Sequence, residues 1–461
     1  MADPRRIAVI NVVGLCDRHI GAWTPRIHEY RNAGAQAFIE PAFPAVTCTA
    51  QSDYLTGETS ATHGIVGNGW YDRDLAEVQF WKQSNHLVQA PKVWDALRAK
   101  HDDFTCAKVF WWYNMYSGAD WSLTPRPMYP ADGRKVFDIY THPAEIREDI
   151  QRDLGAFPFP GFWGPAAGVK TPQGSADCVS RWIAESAKWI ERKHSPTLSL
   201  VYLPHLDYNL QRIGPEDKAI EQDFQSIDTI VGGLLDFYAE RGVQVMLLSE
   251  YGITPVNKAI HLNRLFREQG WLTIKEELGL ELLDAGASQV FAVADHQVAH
   301  IYINNDALHS EVKSLLEKTA GVQAVLDDDT HHRRAGDLIA IADENAWFTY
   351  YYWMDDARAP DFARTVDIHR KPGFDPVELF IDPQLAFPKL RIARRLLQKK
   401  LGFRMLMDVI PLDAALVKGS HGCRPVSRAD WPVAIVPEAD WLEGDELQST
   451  EVSGLIQRAV G

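Results

Sequence analysis

Residues Ala42–Asp74 read AFPAVTCTAQSDYLTGETSATHGIVGNGWYDRD. An apolar run, AFPAV, ends at Thr47, and the helix-compatible AQSDYLTG follows it. This predicts Thr47 at the N-terminus of a helix directly after a sheet strand. Free backbone N–H groups and the helix dipole favour a bound anion at such a place. Asn68 follows between Gly67 and Gly69, where backbone can approach closely. The plainer reading makes Thr47 a helix cap and the rest a polar loop.

Outward from this stretch, IAVINVV, FTCAKVFWW, TLSLVYL and VQVMLLS read as buried strands. TPRIHEYRNAG, CVSRWIAESAKWIERKH and IEQDFQSIDTIVGGLLDFYAERG read as the helices between them. Strand–helix alternation argues for an α/β fold with a central, mostly parallel sheet covered by helices on both faces. Residues 1–112 and 174–290 are expected to form the core, with 416–461 returning to it. Two stretches break the pattern. Residues 113–173 are rich in Pro, Gly and aromatics and read as an insertion. Residues 291–415 read as a cap-like region and contain WFTYYYWMDDARAPDF. Both look like lids rather than core.

Composition narrows the function. The net charge of −15 argues against a nucleic-acid surface, which needs basic groups to neutralise phosphates. The five cysteines (Cys16, Cys48, Cys106, Cys178, Cys423) are scattered without a CxxC, so neither a disulfide framework nor a cysteine zinc site is indicated. The N-terminal apolar run is too short to span a membrane and lacks a small-residue cleavage site. A cytoplasmic chain without a membrane span is expected.

In a parallel α/β sheet, ligands bind at the carboxyl ends of the strands. The polar residues that follow the apolar runs are Thr47, then His205 and Asp207, then Glu250 and Tyr251, and late in the chain His421 in LVKGSHG. Taken singly, each has a bland reading as a cap, a solvated carboxylate or a histidine in a Gly-rich turn. Their recurrence at successive strand ends favours one shared site.

The quoted stretch resembles the nucleophile segment of the alkaline phosphatase superfamily, in its nucleotide pyrophosphatase/phosphodiesterase branch. Thr47, Thr56-Gly57, His63-Gly64-Ile65 and Asn68 follow that branch's order and spacing. VYLPHLDYNLQRIGP, LLSEYGITP and GSHG are similar to its later site segments. The resemblance implies a phosphoric ester hydrolase in which Thr47 attacks phosphorus and Asn68 donates its amide to an oxyanion. Two divalent ions would clamp the attacking and leaving oxygens, and a phosphothreonine would divide one hard step into two. A small-molecule phosphate ester or diester is the implied partner.

The sequence departs from the family in its metal ligands. Val13 stands where the first-strand Asp is expected, Glu250-Tyr251 where an Asp-His pair is expected, and Gln211 where a His is expected. Val13 cannot ligate, and Tyr and Gln are poor zinc ligands. The expectation is therefore one or two divalent ions, zinc or manganese, with one site at Asp207 and His421, completed by Gln211, His205 or the Asp367–His369 segment, and the second site absent or altered. Glu250 becomes the candidate base for Thr47 if burial raises its pKa. Asp367, His369, Arg370 and Lys371 form a candidate phosphate-binding cluster. His296 and His300 in ADHQVAHIYI are further replacement ligands. Two other readings stay open: a chain that keeps the pocket to bind a ligand or partner, and an enzyme that acts without metal.

Overall fold

Burial on both faces is what turns the apolar runs into strands. The computed structural model describes residues 4–132, 134–172, 174–327 and 332–461. In it Ile7–Val12 and Leu198–Leu203 are buried along their whole length, as continuous apolar runs in a parallel sheet should be. They pair in parallel from Ile7↔Leu198 to Val12↔Leu203. Gln244–Leu248 lies parallel on the other side of Ile7–Val12, from Ile7↔Gln244 to Asn11↔Leu248.

The full order across the sheet is Glu446–Gln448, Ala35–Glu40, Val433–Val436, Gln244–Leu248, Ile7–Val12, Leu198–Leu203, Cys106–Val109, Trp121–Pro125 and Ile139–His142. Val433–Val436 runs antiparallel to both neighbours, and Ile139–His142 is an antiparallel edge strand. The other pairings are parallel. Two groups of helices pack around the sheet. Pro25–Ala33, Cys178–His194 and Glu221–Ala239 form one; Thr47–Thr56, Val93–Lys100 and Glu451–Val460 form the other. The expected central, mostly parallel sheet flanked by helices is the observed architecture.

Three local expectations are corrected. AFPAV is not a strand. The strand is Ala35–Glu40, and 41–46 is a loop that delivers the chain to the helix Thr47–Thr56. Pro41 and Pro44 lack the N–H groups that a ladder needs. Residues 113–173 are not only a lid, because Trp121–Pro125 and Ile139–His142 extend the main sheet. The late aromatic run is not a lid either: Trp347, Tyr350, Tyr351, Tyr352 and Trp353 are fully buried. They form a second core with a four-stranded antiparallel sheet of Val290–Asp295, Val298–Ile303, Leu338–Ala342 and Val322–Leu326.

Candidate functional site

One helix start and the segments after three strands converge. The helix Thr47–Thr56 opens on Thr47, whose preceding residue Val46 is still extended. Gly57 closes this helix at φ 75°, a left-handed conformation that favours glycine and accounts for the Thr-Gly pair. The helix is pinned from the side, since Asp53 pairs with His63 at 2.8 Å and accepts from Ser449 at 2.5 Å. The strand Leu198–Leu203 feeds the helix His205–Arg212, which carries Asp207. Gln244–Leu248 feeds Glu250 and Tyr251. His421 follows the short strand Gly419–Ser420, which pairs with Thr254–Pro255. Gly419 is required there, because a Cβ would lie 2.1 Å from the Leu210 carbonyl oxygen.

Thr47, Tyr202, Asp207, Tyr251, His296 and His421 line one cavity of about 50 Å³. Trp81, Trp112, Phe162, Trp163, Tyr208 and Phe374 supply its aromatic wall. The Thr47 hydroxyl is 3.0 Å from the Tyr251 hydroxyl, which donates to Asp207 Oδ1 at 3.3 Å. The Tyr251 ring stacks flat on the His421 imidazole, with centroids 3.6 Å apart at 6°. His421 Nδ1 donates to the Ala45 carbonyl at 2.7 Å, which turns Nε2 toward Asp207 Oδ1 at 3.9 Å.

Glu250 lies fully buried beneath Thr47. Its Oε1 accepts from Asn11 and Gln51, both at 2.5 Å. Asn11 is the one polar residue of Ile7–Val12, and this bond is what it does there. Burial pushes the Glu250 carboxyl up to about 8, partly offset by the donors Gln51, Asn11 and Thr47. Burial likewise pushes Asp207 up to about 7, against hydrogen bonds from Gln211 and Tyr251. Burial holds His421 and His296 neutral, well below the ordinary histidine range. His296 Nδ1 is 2.8 Å from Asp295 Oδ1, and its ring stacks on Phe374 and lies tilted against His421. Among the described residues, His421 Nε2, His296 Nε2 and Glu250 Oε2 are buried without a hydrogen-bond partner.

The other expected site residues lie elsewhere or are already engaged. Asn68 Oδ1 accepts from the Cys48 N–H at 3.0 Å and its amide donates to Asp295 at 3.1 Å. It ties the helix start to the second sheet. Gln211 is buried one helical turn beyond Asp207 and stabilises its carboxylate. His205 pairs with Asp223 at 3.1 Å rather than lining the cavity. Lys371 is buried between Asp375 at 2.6 Å and Glu378 at 2.9 Å. Arg370 is exposed and 3.5 Å from Asp367, and His369 meets the Phe80 carbonyl at 3.3 Å. The Asp367–Lys371 charges are thus satisfied among themselves and their neighbours. The segment reaches the cavity through Ile368, with Phe374 close behind it in sequence. His296 was legible only as one histidine among several. The aromatic wall was hinted at by the aromatic-rich insertion, and Asn11 and Gln51 carried no signal of their own.

The donor set does not fit the divalent ion expected at Asp207 and His421. These two supply a carboxylate and an imidazole, short of the three protein ligands usual at a catalytic zinc. Tyr251 occupies the space beside them, and His205 is turned to Asp223. Among the described residues no group of three or more His, Cys, Asp or Glu side chains is placed to hold a metal ion.

Comparison with known proteins agrees with the fold. Murine ectonucleotide pyrophosphatase/phosphodiesterase 5, solved in complex with AMP, superimposes with a TM-score of 0.57 at 12% identity, covering 99% of this chain and 95% of that one. Phosphonoacetate hydrolase from Sinorhizobium meliloti, solved with phosphonoacetate, gives 0.61 at 14% identity, covering 99% and 96%. An uncharacterized pyrophosphatase/phosphodiesterase of Schizosaccharomyces pombe is 23% identical over 242 residues, which is 50% of this chain and 41% of that protein. The family model for type I phosphodiesterase/nucleotide pyrophosphatase matches residues 7–375, most of the chain and all the strand ends described above except that of His421. The chain belongs to the type I phosphodiesterase/nucleotide pyrophosphatase family.

Proposed function

We propose that the chain is a phosphoric ester hydrolase in which Thr47 is the nucleophile and Glu250 takes its proton. The observation that carries this reading is the Thr47 hydroxyl itself. It sits at a helix N-terminus, opens into the cavity, and is flanked by Tyr251 and by a buried carboxyl. As the Thr47 Oγ–P bond forms, Glu250 accepts the hydroxyl proton and the ester oxygen leaves with its bonding pair. Water then cleaves the phosphothreonine, restoring Thr47. A carboxyl pushed up to about 8 is a stronger base than an exposed glutamate once ionised. Tyr251, held by Asp207, orients the Thr47 oxygen. The unpartnered Nε2 atoms of His421 and His296 accept hydrogen bonds from substrate or water. The fold neighbours were solved with AMP and with phosphonoacetate, which supports a small phosphorus-containing substrate.

A second reading rests on one specific observation. Among the described residues, no Lys or Arg lines the cavity, while aromatic rings dominate it. A doubly charged phosphate has no counter-ion there. This favours a changed chemistry, with an uncharged ester or a bound apolar ligand in place of a phosphate dianion. Turnover of a chromogenic phosphodiester by wild type, Thr47→Ala and Glu250→Gln decides between them. The first reading expects wild-type turnover that is lost in Thr47→Ala. No turnover by wild type, with an aromatic ligand bound equally by Thr47→Ala, would establish the second. Metal analysis of the same preparations is expected to show activity without a stoichiometric bound ion. An ion that is bound one to one and needed for turnover would restore the Asp207–His421 metal site.

A further inference from the structure

One surface element takes no part in the site, and residues 376–461 lie beyond the span matched by the family model. The helix Pro388–Lys400 has no fully buried residue. From Pro388 to Arg404 the chain carries seven Lys and Arg, and no Asp or Glu occurs between Pro388 and Met407. The rest of the protein is strongly acidic, since the whole carries −15.

The helix is ordered by face. Its inner side holds Ile392 and two arginines, Arg391 and Arg395, which both pair with Asp408. Arg404 and Lys399 donate to the carbonyls of Asp132 at 3.1 Å and Lys135 at 3.4 Å, which ties the element to the body. The outer side at helical spacing is Leu390, Ala393, Leu397 and Leu401. Leu390 is 69% exposed, Leu397 56% and Leu401 64%. Lys389, Arg394 and Lys400 flank this strip and form no ion pair among the described residues. Phe387 at 77% and Phe403 at 66% exposure stand just beyond its two ends.

We infer that this helix is a docking surface for an anionic lipid bilayer, on which it lies flat without spanning. An apolar strip edged by unpaired cations, with aromatic residues at the ends, matches a planar boundary between acyl chains and negative headgroups. The apolar side chains enter the boundary while the long basic ones extend to the headgroups. The charge asymmetry supports the choice of partner: the patch attracts an anionic surface, and the acidic remainder of the protein orients it. No described helix is long and apolar enough to cross a membrane.

The test is co-sedimentation of the full chain with vesicles of phosphatidylcholine, with and without phosphatidylglycerol. Binding is expected only when phosphatidylglycerol is present, and it should weaken with added salt. Each cation near the surface is worth about 5-fold in binding. The triple variant Lys389→Gln, Arg394→Gln, Lys400→Gln should therefore lose roughly 100-fold. Leu390→Glu with Leu397→Glu should abolish binding. All these side chains are exposed, so thermal stability and turnover of a soluble substrate should stay at wild-type values. Failure of wild type to bind anionic vesicles at low salt would overturn the inference, as would equal binding by the variants. So would a lipid-free dimer in sedimentation that Leu397→Glu converts to monomer, because the strip would then be covered by a second copy of the chain.

Discussion

Replacing Glu250 by Gln should make the protein more stable at alkaline pH while it loses turnover. The folded carboxyl is pushed from its ordinary 4.5 up to about 8, chiefly by burial. Between those pH values the folded chain holds a proton that the unfolded chain has released. Stability therefore falls as pH rises through this window, and the loss is complete above the folded pKa. One pKa unit corresponds to about 1.4 kcal/mol, so the full penalty is roughly 5 kcal/mol. Glutamine keeps the acceptor oxygen that Asn11 and Gln51 use, and it never ionises. The variant should match wild type near about pH 5 and exceed it by roughly 3–5 kcal/mol near about pH 9. Urea unfolding followed by tryptophan fluorescence at several pH values measures this difference. Effects of Asp207 and Asp295, which titrate in both proteins, cancel to first order in the comparison. Turnover should fall about 10²–10⁴-fold, the usual contribution of a general base. Parallel stability curves for the two proteins across the whole range would refute the assignment of a protonated, buried Glu250. Full activity in the variant would refute its role as base.

Tyr251→Phe keeps the ring on His421 but removes the hydroxyl between Thr47 and Asp207. Stability should fall by about 1–2 kcal/mol, and turnover should drop because the Thr47 oxygen loses the hydroxyl that orients it. Asn68→Ala leaves the Cys48 N–H without its acceptor and removes one of the donors to Asp295, which keeps the backbone N–H of residue 68 and His296. A loss of roughly 2 kcal/mol in chemical unfolding is expected, whereas a purely oxyanion-binding Asn68 would leave stability unchanged. Lys371→Met breaks the buried cluster with Asp375 and Glu378 and should cost about 3–5 kcal/mol. A thermal midpoint equal to that of wild type would show that these carboxyls are protonated and need no counter-ion.

The core of the fold was legible because burial on two faces demands continuous apolar runs, and periodicity reports burial directly. Ile7–Val12, Leu198–Leu203 and Gln244–Leu248 announce themselves in this way, as do the helices Cys178–His194 and Glu221–Ala239. That Asp207 and Glu250 fall on one edge follows from the direction of the parallel strands before them, so it too could be argued from sequence. What the side chains meet there could not. That Tyr251 stacks on His421 and bridges Thr47 to Asp207, that Asn11 and Gln51 hold Glu250, and that Lys371 is spent on Asp375 and Glu378 are long-range contacts. They depend on rotamers and packing between segments far apart in the chain, and local pattern carries no record of them. The aromatic runs show the same limit. Residues 350–353 and the exposed helix Pro388–Lys400 are both rich in large apolar side chains, yet one fills a core and the other faces solvent. Large apolar side chains occur in both; only the tertiary structure decides which of them have another element of the chain to cover them.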